Sequence, residues 1–389
     1  MNKYNNIKSE SMAYRICTHC VMDTSDPDIT FDSDGICNHC KTFDTITRME
    51  WFPNQEGERR LRQIIDNIKK AGASKEYDCV LGLSGGVDSC YLAIKMHEWG
   101  LRPLVIHVDA GWNSELAVAN IEKVIKYCNF NLKTVVINWQ EMKDLQIAYL
   151  KSGIANQDVP QDHIFFSSLY QHSIANGMRY IFSGGNIATE GIFPKSWHGP
   201  AMDASNLYAI HKKFGKHKLK TYKTISFSHL YFWLPLIKKM RTIRPLNFIN
   251  YSKKEAIKTL ETTCGWKNYG RKHGESQFTK FFQNYYLPMK FGYDKRRPHL
   301  SSLIVAGQLD RSEALITLEE PLYQEKELEA DLAYICKKLD LTSNQLAEYI
   351  NSPCHSYSEF KNWDARFNFV KKIQSILTNI FGKYFNIYS

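Results

Sequence analysis

The chain has 389 residues, 43% hydrophobic and 23% charged, which suits a soluble protein of two or three domains with sizeable cores. Its most apolar run, Phe227 to Ile237, is interrupted by Ser228, His229 and Pro235 and is too short to span a bilayer. The net charge is +10, and ten Lys and Arg residues fall between His211 and Arg244, where there is no Asp or Glu. Such a stretch suits nucleic acid, an anionic small substrate, an acidic protein, or simply a solvated face.

The N-terminus is polar and has no signal-peptide apolar region, so the expected location is cytoplasmic. Residues 1–13 are expected to be disordered. Next come Cys17-Thr18-His19-Cys20, a sixteen-residue loop, and Cys37-Asn38-His39-Cys40. Two CxxC knuckles at this separation suit a tetrahedral thiolate site for structural Zn²⁺ at Cys17, Cys20, Cys37 and Cys40. The loop between them is rich in Asp and poor in core, so metal would supply much of its folding energy. An iron–sulfur cluster or a redox pair are the alternatives. His19 and His39 are expected to stay non-ligands, because four cysteines complete the shell.

Leu61, Ile64, Ile65 and Ile68 share one face of a helix over 57–71. It leads into Asp78-Cys79-Val80-Leu81-Gly82-Leu83-Ser84-Gly85-Gly86-Val87-Asp88-Ser89, which reads as a buried strand, a Ser-Gly-Gly turn and a helix start. The glycines let backbone approach a ligand closely, and the helix N-terminus aims N–H groups and a positive dipole end at one point. Ser84 and Ser89 add hydroxyls, so the stretch suits a polyphosphate. The Gly-x-x-x-x-Gly-Lys-Ser/Thr loop occurs nowhere in the chain.

Ser84 to Ser89 resembles the SGGxDS signature of the ATP pyrophosphatase (PP-loop) family. The resemblance implies that Ser84, Gly85, Gly86, Val87, Asp88 and Ser89 hold the β,γ-phosphates of ATP, which is split between α and β. Strands and helices then alternate: helix 88–99, strand 103–109, helix 114–128, strand 134–137, helices 140–151 and 163–176, and strand 180–183. This predicts an α/β, doubly wound parallel sheet of PP-loop/HUP-like type, with ligands outside the strand C-termini. Two further strand ends fit. His107 to Asp109 lies where the family faces adenine, and Ser183-Gly184-Gly185-Asn186 makes a second small-residue wall, so His107, Asp109, Gly184 and Asn186 join the ATP set. Asp109 or Glu190 is either an ordinary loop carboxylate or a helper of Asp88 in holding Mg²⁺.

From residue 200 the strand rhythm is expected to stop. Ser252-Lys253-Lys254-Glu255 reads as a capping box, and Phe278, Phe281, Phe282, Tyr285 and Tyr286 mark an aromatic helix over 275–287 that serves core packing. Leu328, Leu332, Ile335 and Leu339 form another helical stripe, and Phe369 or Val370, Ile373, Leu377 and Ile380 the last. The expected domains are a zinc knuckle region at 1–50, an ATP pyrophosphatase domain at 51–250, and a mainly helical substrate and partner region at 251–389.

Polar clusters crowd 241–311: Arg244-Pro245-Leu246, Trp266 to Ser276, Asp294 to Ser302, and Gly307 to Arg311. Dense Arg, Lys, His and Ser around glycines suits an anionic, hydroxyl-rich molecule. The CxxC pair, SGGVDS, the Gly-Gly-Asn turn, Lys272-His273-Glu275-Ser276 and Asp294-Lys295-Arg296-Arg297 together resemble the N-acetyl sugar amidotransferases. These include WbpG-type lipopolysaccharide enzymes and PseA/LegA-type enzymes of nonulosonic acid pathways. The resemblance runs from about residue 14 to the C-terminus.

That family, as the resemblance implies, turns an acetamido group of an activated sugar into an acetamidino group. The amide oxygen attacks the α-phosphorus of ATP, pyrophosphate leaves, ammonia adds to the carbon and AMP departs. Asp88, through Mg²⁺, would offset charge on the pyrophosphate. Lys272, His273 or Arg297 is placed to hold adenylyl or sugar carboxylate oxygens, with Arg244 and Arg296 as further substrate residues. His273 or Glu275 is placed to take a proton from ammonia. A structural role is the alternative for each. The sequence has no glutaminase nucleophile, and Cys90, Cys128 and Cys264 are isolated, so ammonia is expected from free ammonium or from glutaminase/cyclase-like partner subunits. The knuckle or the 211–244 stretch would dock them. The main rival is a PP-loop tRNA thiolase, many of which need a paired catalytic CxxC in the PP-loop domain; no third CxxC exists here, and Cys128 and Cys264 pair only if the fold brings them together. Neither nucleic acid nor membrane is an expected partner. The other rival is a non-enzymatic zinc-knuckle adaptor.

Overall fold

The computed structural model describes residues 13–270 and 274–381. The expectations for residues 1–12, and for Lys272 and His273, lie outside the described residues. In chain order the elements are α1 (Asn38–Thr45), α2 (Gln55–Gly72), β1 (Cys79–Gly82), α3 (Val87–Glu98), β2 (Pro103–Asp109), α4 (Glu115–Cys128), β3 (Asn131–Val136), α5 (Trp139–Ser152), α6 (Val159–Ala175), β4 (Tyr180–Phe182), α7 (Ile187–Glu190), α8 (Ala204–Phe214) and β5 (Arg241–Ile243). Then come α9 (Lys253–Cys264), α10 (Gln277–Phe281), α11 (Leu287–Phe291), α12 (Arg296–Val305), α13 (Arg311–Glu319), α14 (Glu325–Leu339), α15 (Ser343–Asn351) and α16 (Asp364–Phe381).

The five strands form one parallel sheet in the order β3-β2-β1-β4-β5. Chain order reverses at β1, so the crevice for a ligand opens at the C-terminal end of β1, where the Ser-Gly-Gly turn begins. β1 is buried along its whole length, as a central parallel strand must be. β2 pairs in register with it from Pro103 to Ile106. The helices α2, α4 and α9 begin at the side-chain caps their sequences carry: Asn54 accepts from Gly57 N, Ser114 from Ala117 N, and Ser252 from Glu255 N.

Two expectations need correction. β3 starts three residues earlier than the apolar run Thr134–Ile137, because edge pairing with β2 recruits Asn131 to Lys133, whose side chains stay exposed. The strand rhythm also does not stop at 200, since β5 pairs with β4 from Arg241 to Ile243. It is a three-residue edge strand without an apolar pattern, and it is held by backbone bonds such as Arg241 N to Arg179 O at 2.8 Å.

The lysine-rich segment is not a free coil. Glu141 on α5 accepts the backbone N–H groups of Lys220, Thr221 and Tyr222. Asp144, one turn on, accepts those of Lys216 and His217 and pairs with His211 at 2.9 Å. In the helical half, Phe278, Phe281, Phe282 and Tyr286 are buried, in keeping with a packing role. On α16, Val370 is buried and Phe369 is exposed, which resolves the choice between them.

The N-terminal knuckle packs on this helical half. Val21 N donates to Ser301 Oγ of α12, and the Arg311 guanidinium at the start of α13 donates to Cys17 O and Cys20 O. Arg297 bonds Val21 O at 2.8 Å and pairs with Asp23 at 3.0 Å. The knuckle is thereby joined to α12 and α13.

Candidate active site and metal centre

At the end of β1 the chain turns at Gly85, whose φ of +91° is a conformation that side chains resist. Ser84 Oγ accepts from Gly86 N (3.3 Å) and contacts Ser89 Oγ (3.2 Å), and Ser89 Oγ donates to Gly86 O (3.2 Å). The two serines thus fix the shape of the loop. Gly86 caps α3, whose first N–H groups have no partner within the helix and face an incoming anion. Behind the loop, Trp266 Nε1 and the Tyr269 hydroxyl both donate to Gly85 O, at 3.2 and 2.9 Å.

The Gly184-Gly185 turn after β4 stands against this loop. A Cβ on Gly184 would lie 2.8 Å from Ser89 N and 2.9 Å from the Asp88 carbonyl carbon, so only glycine lets the two turns approach this closely. Asn186 works within that turn: it caps α7 through Thr189 N at 3.0 Å and donates to Gly184 O at 3.2 Å. On the side of β2, His107 Nδ1 donates to Leu83 O at 2.9 Å, and its Nε2 accepts from Asn113, which also donates to Asp109. His107 and Asp109 therefore brace the ends of β1 and β2.

A cleft of about 420 Å³ opens over these turns. One part is lined by Ser84, Gly86, Asp88, Ser89, Gly184, Gly185, Glu190 and Lys253. The other is lined by Phe165, Phe166, Leu169, Tyr170, Ile181 and Phe182. A polar pole able to take phosphates beside an apolar, aromatic pole is the form of a nucleotide site. Asp88 is within it, and the Tyr251 hydroxyl donates to its carboxylate. Burial, then the Asp88 charge, pushes that tyrosine's pKa far up, so Tyr251 stays a donor.

Glu275 reaches the same cleft from the helical half. Its Oε1 lies 3.0 Å from where a Gly86 Cβ would sit, and its carbonyl accepts from Ser114 N at 2.8 Å. Lys253 and Tyr251 are the site residues that sequence reasoning missed, whereas Trp266 and Tyr269 fall within the polar cluster Trp266 to Ser276. Lys253 follows the Ser252 cap, where a lysine is an ordinary first-turn residue.

The remaining expected substrate residues are placed differently. Arg244, at the end of β5, is exposed and acts electrostatically on Tyr170 at the apolar pole. Arg296 is taken up by Asp294 at 2.7 Å and by the carbonyls of Thr317, Leu318 and Glu320. Arg297 joins the knuckle as described above. Neither Arg296 nor Arg297 lines the cleft.

The four knuckle cysteines are buried, and their sulfurs all lie within 4.8 Å of one another. The contacts from Cys20 to Cys37 and from Cys37 to Cys40 are 3.7 Å, and that from Cys17 to Cys40 is 4.0 Å. A tetrahedral Zn²⁺ with bonds of about 2.3 Å sets sulfurs about 3.8 Å apart, so the cluster fits zinc. Four buried thiols side by side cannot all ionise without a cation. Hydrogen bonds from Cys20, Cys37 and Cys40 hold the Cys17 thiol far down, while Cys40 is pushed far up. His39 is turned to Asp26 at 2.6 Å, and the cluster of possible ligands contains neither it nor His19. The metal would tie the two knuckles together rather than serve the cleft.

Comparison with known proteins bears on the helical half. Residues 275–374 match the family model described as LPS biosynthesis protein WbpG-like, C-terminal domain. No curated protein matches the chain. Among solved structures, the NMN synthetase of Francisella tularensis is 15% identical, with a TM-score of 0.29 over 52% of this chain and 93% of that one. An NH3-dependent NAD synthetase of Campylobacter jejuni is 16% identical, with a TM-score of 0.29 over 69% of this chain and 99% of that one. Superpositions this loose carry no weight beside the strand order and the loop. Over residues 275–374 the chain is thus similar to the C-terminal domain of the WbpG-like family, and this segment follows a parallel five-stranded sheet whose central strand ends in the Ser84–Ser89 turn.

Proposed function

We propose that the protein is an ATP-dependent amidotransferase that adenylates the acetamido oxygen of an N-acetylated sugar, releases pyrophosphate and substitutes ammonia to give an acetamidino sugar. The observation that carries this reading is the placement of Glu275. The first residue of the WbpG-like segment closes on Gly86 of the Ser-Gly-Gly loop, which supports a cleft that ATP and this segment would share.

Within the cleft, Ser84 to Ser89 and the first turn of α3 would receive the β,γ-phosphates, with Lys253 offsetting their charge. Asp88 and Glu190, both on its wall, are the carboxylates that would hold Mg²⁺, which supplies charge neutralisation at the departing pyrophosphate. The apolar pole would take the adenine or the methyl end of the acetamido group. Glu275, over the loop, would take a proton from the attacking ammonia.

The lining also favours ammonia over sulfur as the second substrate. No described residue of the cleft wall is a cysteine. Cys264 lies close enough to Cys90 and Cys128 to act on both electrostatically, but burial raises the pKa of each, so they are packed thiols rather than sulfur carriers. Ammonia would come from free ammonium or a separate glutaminase-like subunit. The test is incubation with ATP, Mg²⁺, ammonium and a panel of UDP- and CMP-linked acetamido sugars. AMP, pyrophosphate and a product in which NH replaces O are expected; ADP and phosphate would overturn the reading.

A further inference from the structure

Two segments that do not line the cleft meet at a small core of their own. One is the π-helical turn His229–Ile237, and the other is α16. Phe227, Trp363 and Val370 are buried together there, with Leu230, Tyr231 and Phe367 packed on them. The rings of Phe227 and Trp363 lie 5.2 Å apart, and those of Tyr231 and Phe367 5.6 Å apart. Each segment buries only part of its apolar surface in this contact. At about 100° per residue, Phe369, Ile373 and Ile376 share an arc of about 60° on α16, beside the packed arc of Phe367 and Val370. All three are exposed, Phe369 by 64%. On the other segment Phe232, Leu236 and Ile237 are exposed too, Ile237 by 68%.

Cations accompany the exposed apolar groups in both segments. Lys238, Lys239 and Arg241 follow the π-helical turn, and Arg366, Lys371 and Lys372 stand on α16, all of them exposed. None of the six pairs with a carboxylate among the described residues. Lys238 Nζ lies 4.9 Å from the centre of the Trp233 ring, and Lys371 Nζ 4.7 Å from that of Phe367. Both ammonium groups thus rest against aromatic rings beside the apolar side chains, as the long stem of a lysine allows. The sequence holds no Asp or Glu from His211 to Arg244, and none after Asp364. Two acids at the contact are engaged: Asp203 accepts from Trp363 N and Asn206 N, and Asp364 from the Tyr357 hydroxyl.

We propose that this face rests on an anionic lipid surface, with its exposed apolar side chains in the interfacial layer and its cations among the headgroups. No described helix is long and apolar enough to cross a membrane. A helix that lies on one needs only an apolar face with basic flanks. An acidic protein would be met by the cations alone. Exposed aliphatic and aromatic side chains beside cations without carboxylate partners fit a partner that is apolar beneath a layer of negative charge. Attachment of this kind departs from the sequence expectation of no membrane partner, which drew on the absence of a spanning run. It is independent of the amidination reading, and neither ATP nor sugar enters its test.

The test is co-sedimentation of the full chain with vesicles of phosphatidylcholine alone or with about 30% phosphatidylglycerol, in about 0.1 M salt. Binding to the anionic vesicles is expected to exceed that to the neutral ones at least about 100-fold, and to weaken as salt rises. Phe369→Ser with Ile373→Ser is expected to lose at least about tenfold. Lys371→Gln with Lys372→Gln is expected to lose about 30-fold, about fivefold for each charge. Lys326→Gln with Lys337→Gln removes the same charge from exposed positions of α14 and is expected to bind within about twofold of the unchanged chain. Every substituted side chain is exposed, so these changes spare the cores. Equal binding to both kinds of vesicle, or patch variants that sediment like the unchanged chain, overturns the proposal. A loss in the α14 control as large as in the Lys371 and Lys372 pair overturns it as well, because net charge alone then governs. Binding lost with the lysines but kept with the apolar changes overturns it too, since an acidic chain would satisfy such a face. Light scattering without lipid completes the test: a dimer that Phe369→Ser with Ile373→Ser turns into a monomer overturns the proposal in favour of a second copy.

Discussion

Gly184→Ala isolates the contact between the two turns that build the phosphate pole. The new methyl would meet Ser89 N at 2.8 Å and the Asp88 carbonyl carbon at 2.9 Å, where ordinary contacts begin at 3.4 Å. The shortfall is about 0.6 Å against backbone, so no rotamer change can relieve it. Gly184 is not among the glycines with positive φ, so the cost is steric only. Overpacking of this kind costs about 1–3 kcal/mol. If it falls on the loop's binding conformation, ATP–Mg²⁺ affinity drops about five- to 150-fold. Gly185→Ala is the internal control, because its methyl would meet Ser183 Oγ at 3.5 Å and Glu190 Oε2 at 3.7 Å. Titration calorimetry with ATP–Mg²⁺ on both variants decides the matter. Gly184→Ala binding within twofold of the unchanged protein would show that the turn after β4 gives way instead, and would refute its role as a wall of the site.

Metal analysis is expected to find one equivalent of zinc per chain, and none in Cys37→Ser. That substitution should also free α12 and α13 to proteolysis, because Arg297 and Arg311 lose the carbonyls the knuckle presents. Tyr251→Phe removes the hydroxyl that donates to Asp88, and urea unfolding is expected to show a loss of about 1.5–3 kcal/mol, as for a hydrogen bond to a charged group. His163 is buried, and burial lowers its pKa from 6.5 to about 4, even though Nδ1 donates to Ala201 O. The unfolded chain takes up this proton below 6.5 and the folded one only near 4, so stability falls as pH drops through that window, by about 3 kcal/mol. Denaturant midpoints of the protein and of His163→Gln, compared between pH 7 and 4, should converge as the pH falls.

What the sequence made legible was contiguous. The strand, the Ser-Gly-Gly turn and the helix start lie within twelve residues, and each reports the same backbone geometry. The four cysteines carry their spacing with them. The site's other wall also draws on positions 251 and 253, whose types are ordinary for a core and a helix cap. Only the fold brings them to Asp88 and its cleft. The Arg296-Arg297 pair shows the opposite failure. Dense basic residues read as an anion site, yet one arginine is satisfied by neighbouring carbonyls and the other by Asp23. Charge density does not reveal pairing with a partner far away in sequence. β5 was hidden for a third reason: a three-residue edge strand has too few positions to show a period.

The join between the knuckle and the helical half also sets a timetable for synthesis. Val21 waits for Ser301, 280 residues later, and Cys17 for Arg311, 294 residues later. At roughly 5–20 residues per second, that interval lasts on the order of a quarter of a minute to a minute. During it the knuckle can gather a metal with only earlier partners such as Ser196 to rest against, and the cleft lacks the wall that carries Glu275. A nascent chain would thus complete its cysteine cluster well before its cleft, and a chain cut short before residue 301 lacks the contacts of α12 and α13 to the knuckle.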